Sequence, residues 1–357
     1  MRPIYLCSPK KHAGKTSIGI GLIMAMRERG LKIGYMKPIG TVFRDLDGRL
    51  VDEDPYHLKS ILKLEDSPED MSPIDLTTET IRDILRGKEK RIMERIKESF
   101  EIVSRDKDIM LIEGGPSMTH GISLGLSDAC VARELNTRIL LIAKYDTEIS
   151  LVDQIILGTT LAPEELISGV IINDVPETAM DFVQGVIVPF LEKKGVNILG
   201  VIQRERILRA VPIKQIVEEL GGEVLAGRSS LDKLVDYFLI GAMEVGSAIK
   251  YFRRAPNSAV ITGGDRSDIQ MAAIETGIRC LVLTGNRRPS EVILAAAEER
   301  GIPVILVPMD TMSTVERMEG MLGRLKVQNE EQIKCIKELI EKYVDLERVL
   351  KDVEVDA

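Results

Sequence analysis

Ser8-Pro9-Lys10-Lys11-His12-Ala13-Gly14-Lys15-Thr16 joins a short apolar N-terminal run to a helical pattern, and its reading decides the fold. Gly14-Lys15-Thr16 at a strand-to-helix junction is what a phosphate-binding loop requires. Backbone N–H groups wrap the phosphates, a lysine reaches the β/γ oxygens, and a hydroxyl takes a Mg²⁺ position. The helix opening near Thr16 adds the positive end of its dipole. Five positions before Gly14 stands Pro9, not the glycine of the usual spacing. A longer spacing, with the small Ser8 six before Gly14, remains open. An ordinary turn also accounts for such a triplet.

Outward from the loop, short β-branched runs alternate with helical patterns. Pro3–Cys7, Lys32–Met36, Asp108–Ile112, Ile139–Ala143, Gly169–Ile172 and Ile198–Val201 read as strands. Thr16–Arg29 reads as a helix stopped by Gly30, and Glu79–Arg105 as one long charged helix with an apolar stripe. This alternation predicts an α/β fold with a doubly wound parallel sheet, its ligand at the carboxyl ends of the strands. Around Arg204–Lys214 the pattern loosens into charges and Pro212, which places a domain boundary there. A second, smaller α/β pattern follows: strands at Ser258–Thr262, Cys280–Thr284 and Val304–Val307, and helices at Ile269–Glu275 and Ser290–Arg300. Glu330–Leu350 carries Ile333, Ile336, Ile340, Tyr343 and Val344 at helical spacing, an amphipathic helix for packing on its own domain or for a partner. The expected division is 1–210, 211–327 and a terminal helix in 328–357.

With 357 residues, 44% of them hydrophobic, the chain can bury two ordinary cores. A formal net charge of −8 and the lack of a basic, aromatic-rich block argue against a general nucleic-acid binder. No apolar run approaches the roughly 20 residues of a membrane span, and the N-terminus is too quickly interrupted for a signal peptide. The scattered Cys7, Cys130, Cys280 and Cys335 suit a reducing cytoplasm, and His12, His57 and His120 are too dispersed for a zinc site. The 15 methionines read as core filler.

Four further features stand at or near predicted strand ends. Lys37, before Pro38, can meet an anionic substrate or a transferring phosphoryl group; taken alone it reads as a surface lysine. Asp52-Glu53-Asp54 offers hard carboxylates to Mg²⁺ in a loop-like stretch, or is a solvated acidic run. Glu113 follows a buried strand, where a phosphate-loop protein places its metal-organising acid. Asn173-Asp174 can read a base edge or cap a turn.

Taken in order, Gly-Lys-Thr, Lys-Pro, the acidic loop, Glu-Gly-Gly and Ile-Asn-Asp resemble dethiobiotin synthetase and its relatives over about residues 1–200. These form a P-loop branch that includes cobyrinic acid a,c-diamide synthase, and dethiobiotin synthetase uses the longer loop spacing. The resemblance implies a P-loop NTPase-type sheet binding ATP and Mg²⁺. It implies a nucleotide-binding loop of Ser8, Lys10, Lys11, His12, Ala13, Gly14, Lys15, Thr16 and Ser17. Lys15 and Lys37 would act on phosphate as the catalytic pair, Thr16, Asp54 and Glu113 would organise the metal, and Asn173 would approach adenine. Lys10 stands where partition and cell-division ATPases of this superfamily carry a lysine that reaches the partner subunit's nucleotide, which implies a homodimer; it also serves simply to attract phosphate. Gly114-Gly115-Pro116-Ser117-Met118-Thr119-His120 does not repeat the synthetase's substrate loop, so biotin-precursor specificity is not implied.

The second half, roughly 215–327, resembles the DRTGG domain, a regulatory or ligand-sensing module, through Thr262-Gly263-Gly264-Asp265-Arg266 and Asp310-Thr311. Gly263, Gly264, Asp265, Arg266, Thr284, Asp310 and Thr311 would line an anion or nucleotide site, although turn chemistry also explains the glycine pair. The same two domains form the N-terminal part of long bacterial phosphate acetyltransferases. This chain ends after the DRTGG region, so acetyl transfer is not expected of it. Three functions stay open: an ATPase coupled to a regulatory domain, an ATP-dependent ligase of the dethiobiotin or cobyrinate type, and a non-catalytic nucleotide sensor acting on a partner enzyme.

Overall fold

Apolar runs with no alternation suit strands buried on both faces, and the computed structural model bears this out. It describes residues 2–41, 43–46, 49–322 and 329–352. They form two compact units, Met1–Arg204 with Lys326–Ala357, and Glu205–Leu325.

The first unit is built on β1 (Arg2–Cys7), β2 (Ile33–Met36), β3 (Ile109–Glu113), β4 (Arg138–Lys144), β5 (Ile167–Val175) and β6 (Ile198–Gln203). All pairings are parallel, in the order β6-β5-β4-β1-β3-β2. Side chains alternate between faces. Tyr5, Cys7, Met110, Ile112, Leu141 and Val170 share a buried core with Ile92, Ile96, Val131, Leu151 and Ile155 from helices on one side. Leu6 and Leu111 meet the opposite side, where α1 (Lys15–Glu28) approaches so closely that a Cβ at its Gly19 would lie 3.1 Å from Leu111. Helices on both faces make the sheet doubly wound, as the sequence predicts.

Two expected helices are broken. Glu79–Arg105 divides into Thr78–Leu85 and Ile92–Val103, because Gly87 adopts φ +68° and the charged run behind it does not continue the turn. The terminal segment divides into Glu330–Tyr343 and Leu346–Asp352, with Val344 bridged to Gly200 on the edge of the first sheet. The first of these helices buries Ile336, Leu339 and Ile340 and packs along α1. A Cβ at Gly21 would sit 2.6 Å from Ile340 Cγ1 and 3.0 Å from the Ile336 carbonyl oxygen. Backbone cannot yield as a side-chain tip does, so Gly21→Val is expected to cost about 1–3 kcal/mol by overpacking. Urea denaturation measures that cost, with faster hydrogen exchange over 330–343 as its local signature.

The second unit has β7 (Glu223–Ala226), β8 (Tyr237–Ile240), β9 (Ser258–Gly263), β10 (Cys280–Thr284) and β11 (Val304–Leu306), ordered β7-β11-β10-β9-β8. Only β7 runs antiparallel. One face buries Val260, Leu281 and Leu283 with Ile269 and Ile293; the other buries Ile261, Val282 and Ile305 with Ile216 and Met318. No helix among the described residues is long and apolar enough to cross a membrane.

Candidate functional site

The strand-to-helix turn after β1 brings most of the sequence-predicted loop together at the carboxyl edge of the sheet. Gly14 adopts φ +90°, a conformation that costs glycine nothing, and hands the chain into α1. His12 is also left-handed, at φ +57°. Ser8 and Ala13 are buried, Thr16 and Ser17 half-buried, and Lys10, Lys11 and His12 exposed. Lys15 turns back under the loop, its Nζ donating to Ser8 Oγ at 2.8 Å and to the Pro116 carbonyl at 3.3 Å. Ser8 Oγ in turn donates to the Lys10 carbonyl, so Ser8 serves as a polar brace inside the turn.

Thr16 Oγ1 donates to Glu113 Oε1 at 2.6 Å, and Tyr35 O–H donates to Glu113 Oε2 at 2.9 Å. Glu113 ends β3 and is buried. Burial raises its pKa above the ordinary carboxylate value and the Asp54 charge adds to the rise, while Lys37 and Thr16 oppose it.

Asp54 arrives by a route the acidic triplet alone does not disclose. Asp52 caps α2 (Glu53–Leu62), accepting from Asp54 N–H, and so the triplet starts a helix where the sequence suggests a loop. Lys37 Nζ lies 3.0 and 2.9 Å from the Asp52 oxygens and 2.5 Å from Asp54 Oδ2. All three side chains are largely buried. Burial disfavours the Lys37 ammonium, but Asp54 and Asp52 outweigh it and hold its pKa above the ordinary value. Lys37 is therefore an interior ion-pair lysine, and its charge is already matched. Beside Asp52 opens a cavity of about 340 Å³ whose lining includes Tyr56, Glu69, Asp75, Arg95 and Ser99.

Asn173, near the end of β5, donates from Nδ2 to the Ala13 carbonyl at 2.9 Å and braces the loop from two strands away. Lys10 rests on Ser150 Oγ at 2.7 Å, with Asp146 at 3.7 Å. Tyr35 and Pro116 complete the cluster without a sequence signal, since they look like strand and turn residues, whereas Asp52 shows in the sequence only as part of the acidic triplet. Asp128 was also missed. It accepts from Gly115 N–H at 2.8 Å behind the loop, and its only local signal is that of an acid in a helix's first turn.

In the second unit Gly263 ends β9, and its carbonyl accepts from Gln270 Nε2 at 2.9 Å. Gly264 N–H donates to the Thr284 carbonyl. Thr284 and Thr311 share a hydroxyl hydrogen bond of 2.8 Å. The neighbouring charges look elsewhere: Asp265 pairs with Arg287, Arg266 with Asp268, and Asp310 caps the helix Thr311–Leu322 through Ser313. Turn and cap chemistry thus accounts for Asp310, while the two threonines form a partly buried polar contact between the end of β10 and the start of that helix.

Residues 2–211 match the model for an AAA domain and residues 215–321 that for a DRTGG domain. Relatives include phosphate acetyltransferases of Nitratidesulfovibrio vulgaris, 23% identical over 96% of this chain and 50% of theirs, and of Pseudomonas aeruginosa, 24% identical over 97% and 51%. The chain therefore spans about half the length of the curated relatives it matches. Among solved structures, the CBS and DRTGG domains of the regulatory region of Clostridium perfringens pyrophosphatase, complexed with the activator diadenosine tetraphosphate, share 24% identity (32% of this chain, 48% of that one; TM-score 0.29). The MinD cell division protein of Aquifex aeolicus shares 17% (58% and 84%; TM-score 0.34). With more than half of its 357 residues matched by one family model, the chain belongs to the AAA domain family of P-loop proteins, its AAA domain followed by a DRTGG domain.

Proposed function

We propose that the first unit binds Mg²⁺-ATP on loop 8–17 and hydrolyses it, and that the DRTGG domain regulates this by binding an anion or nucleotide. The observation that carries the reading is the buried Lys15 ammonium under the loop. Its present acceptors are a hydroxyl and a carbonyl, both weaker partners than a phosphate oxygen. Loop N–H groups and the start of α1 supply the rest of the phosphate cradle. Thr16, Glu113 and Asp54 offer hard oxygens that suit Mg²⁺, and a cation there would oppose the rise that burial and the Asp54 charge give the Glu113 pKa. When bound, Mg²⁺ would neutralise charge on the β- and γ-phosphates. Asn173 would stay with the loop and present its amide towards the base. Lys10, on the exposed side, would serve a second copy's nucleotide in a homodimer. Gly263, Gly264, Asp265, Arg266, Thr284 and Thr311 are the proposed regulatory surface, with Asp310 holding the adjoining helix start. The proposed setting is the cytoplasm, and the division at about residue 210 is part of the same proposal.

One observation favours a second reading, a nucleotide sensor for a partner enzyme. Lys37 is matched by Asp52 and Asp54, so it brings no spare charge to a transferring phosphoryl group. The cavity beside Asp52 is where the ligase reading would seat a co-substrate. ADP release from Mg²⁺-ATP by the whole chain, with nucleotide binding recorded in parallel, separates them. The ATPase predicts turnover above the uncatalysed rate, and the sensor predicts binding without it. The ligase predicts turnover that rises with added carboxylate and amine. Absence of nucleotide binding would end all three.

A further inference from the structure

Asp128, the first residue of the helix Asp128–Glu134, lies beneath the turn that follows β3 and is 2% exposed. Its Oδ1 accepts from Gly115 N–H at 2.8 Å and from Tyr5 O–H at 3.2 Å. Its Oδ2 is buried with no hydrogen-bond partner among the described residues. A Cβ on Gly114 would stand 2.5 Å from that oxygen, so the carboxyl is wedged directly against the Gly114-Gly115 backbone. One residue further, the Pro116 carbonyl accepts from Lys15. The carboxyl and the phosphate-loop lysine therefore lean on the same short turn.

Charged and titratable groups act on Asp128 from each neighbouring element. Tyr5 and Cys7 come from β1, and burial raises the pKa of both, which keeps them neutral. Lys15 from α1 is the cation that opposes protonation, and Glu113 from β3 acts the other way through its charge. His120, half-buried against Gly115, has its pKa lowered by burial and by Lys11. Burial pushes the Asp128 carboxyl up to about 7.

We propose that Asp128 is a proton-linked positioning residue: when a phosphate engages Lys15, Asp128 takes a proton from solvent onto its partnerless Oδ2. Phosphate adds negative charge above the loop and draws off the Lys15 field that stabilises the carboxylate. The ionised form then becomes dearer and the neutral acid is favoured. This rests on the nucleotide-phosphate reading of loop 8–17. A proton gained on binding means that affinity falls as pH rises above the free carboxyl's pKa, by up to about tenfold per pH unit for a full proton.

The test is calorimetry of the whole chain with Mg²⁺ and adenylyl imidodiphosphate, at one pH in buffers of different ionisation enthalpy, repeated from below to above neutrality. Wild type is expected to take up a larger fraction of a proton than Asp128→Asn, which carries no titrating group there. His120→Asn should keep the wild-type uptake, and protons belonging to the ligand cancel in these differences. Equal uptake in wild type and Asp128→Asn overturns the proposal, as does loss of uptake in His120→Asn alone. Should Asp128→Asn fail to fold, infrared difference spectra of wild type and His120→Asn decide the matter. A buried protonated-carboxyl band on nucleotide addition supports the proposal, and its absence overturns it. A wild type that binds no nucleotide removes the phosphate-site reading itself, a result distinct from binding without a proton.

Discussion

Lys15→Ala is expected to weaken Mg²⁺-ATP binding by at least about 100-fold, close to 3 kcal/mol, while the chain stays folded. The side chain is 7% exposed, and its ammonium is held by Ser8 and Pro116 under a loop of backbone donors. A charge-assisted bond to phosphate in such a site is worth more than one in water. Fluorescence titration with a labelled ATP analogue measures the loss, and circular dichroism with thermal denaturation monitors the fold. Unchanged affinity would show that loop 8–17 is an ordinary turn.

Lys37→Met should act on stability. Removing the ammonium leaves Asp52 and Asp54 with an uncompensated buried charge, and the expected loss is about 3–5 kcal/mol. The pH dependence follows from the raised lysine pKa. The stabilisation is complete below the ordinary value of 10.5 and fades only as pH climbs through the higher folded value. The deficit should thus be as large at pH 9 as at pH 7. Urea denaturation of Lys37→Met beside Lys37→Met/Asp52→Asn/Asp54→Asn checks the cause. Neutralising the carboxylates should recover much of the loss, because the cost lies in unmatched charge rather than in the missing side chain. A deficit below about 1 kcal/mol would mean that water reaches the pair and screens it.

These expectations separate two kinds of information in the chain. Loop 8–17, Thr16 and Glu113 were legible because their chemistry is local: a glycine at the turn, a lysine and hydroxyl at a helix start, an acid after an apolar strand. Lys37 and the acidic triplet were legible as residues but not as a pair. Fifteen positions separate Lys37 from Asp52, and only the cap on α2 turns the carboxylates towards the lysine. The break at Gly87 hid inside a convincing apolar stripe, since amphipathic spacing survives a loop that preserves its phase.

Periodicity and turn chemistry are short-range properties, written residue by residue. The sequence by itself therefore determined the α/β class, the parallel strands and the phosphate-loop motif. The tertiary structure alone decided that Glu330–Tyr343 lies along α1, that Lys37 is neutralised from within, and that Asp128 sits beneath Gly114-Gly115. Each of those depends on burial and on charges brought together across many residues. Burial sets what a charge costs, and it exists only once the chain has folded.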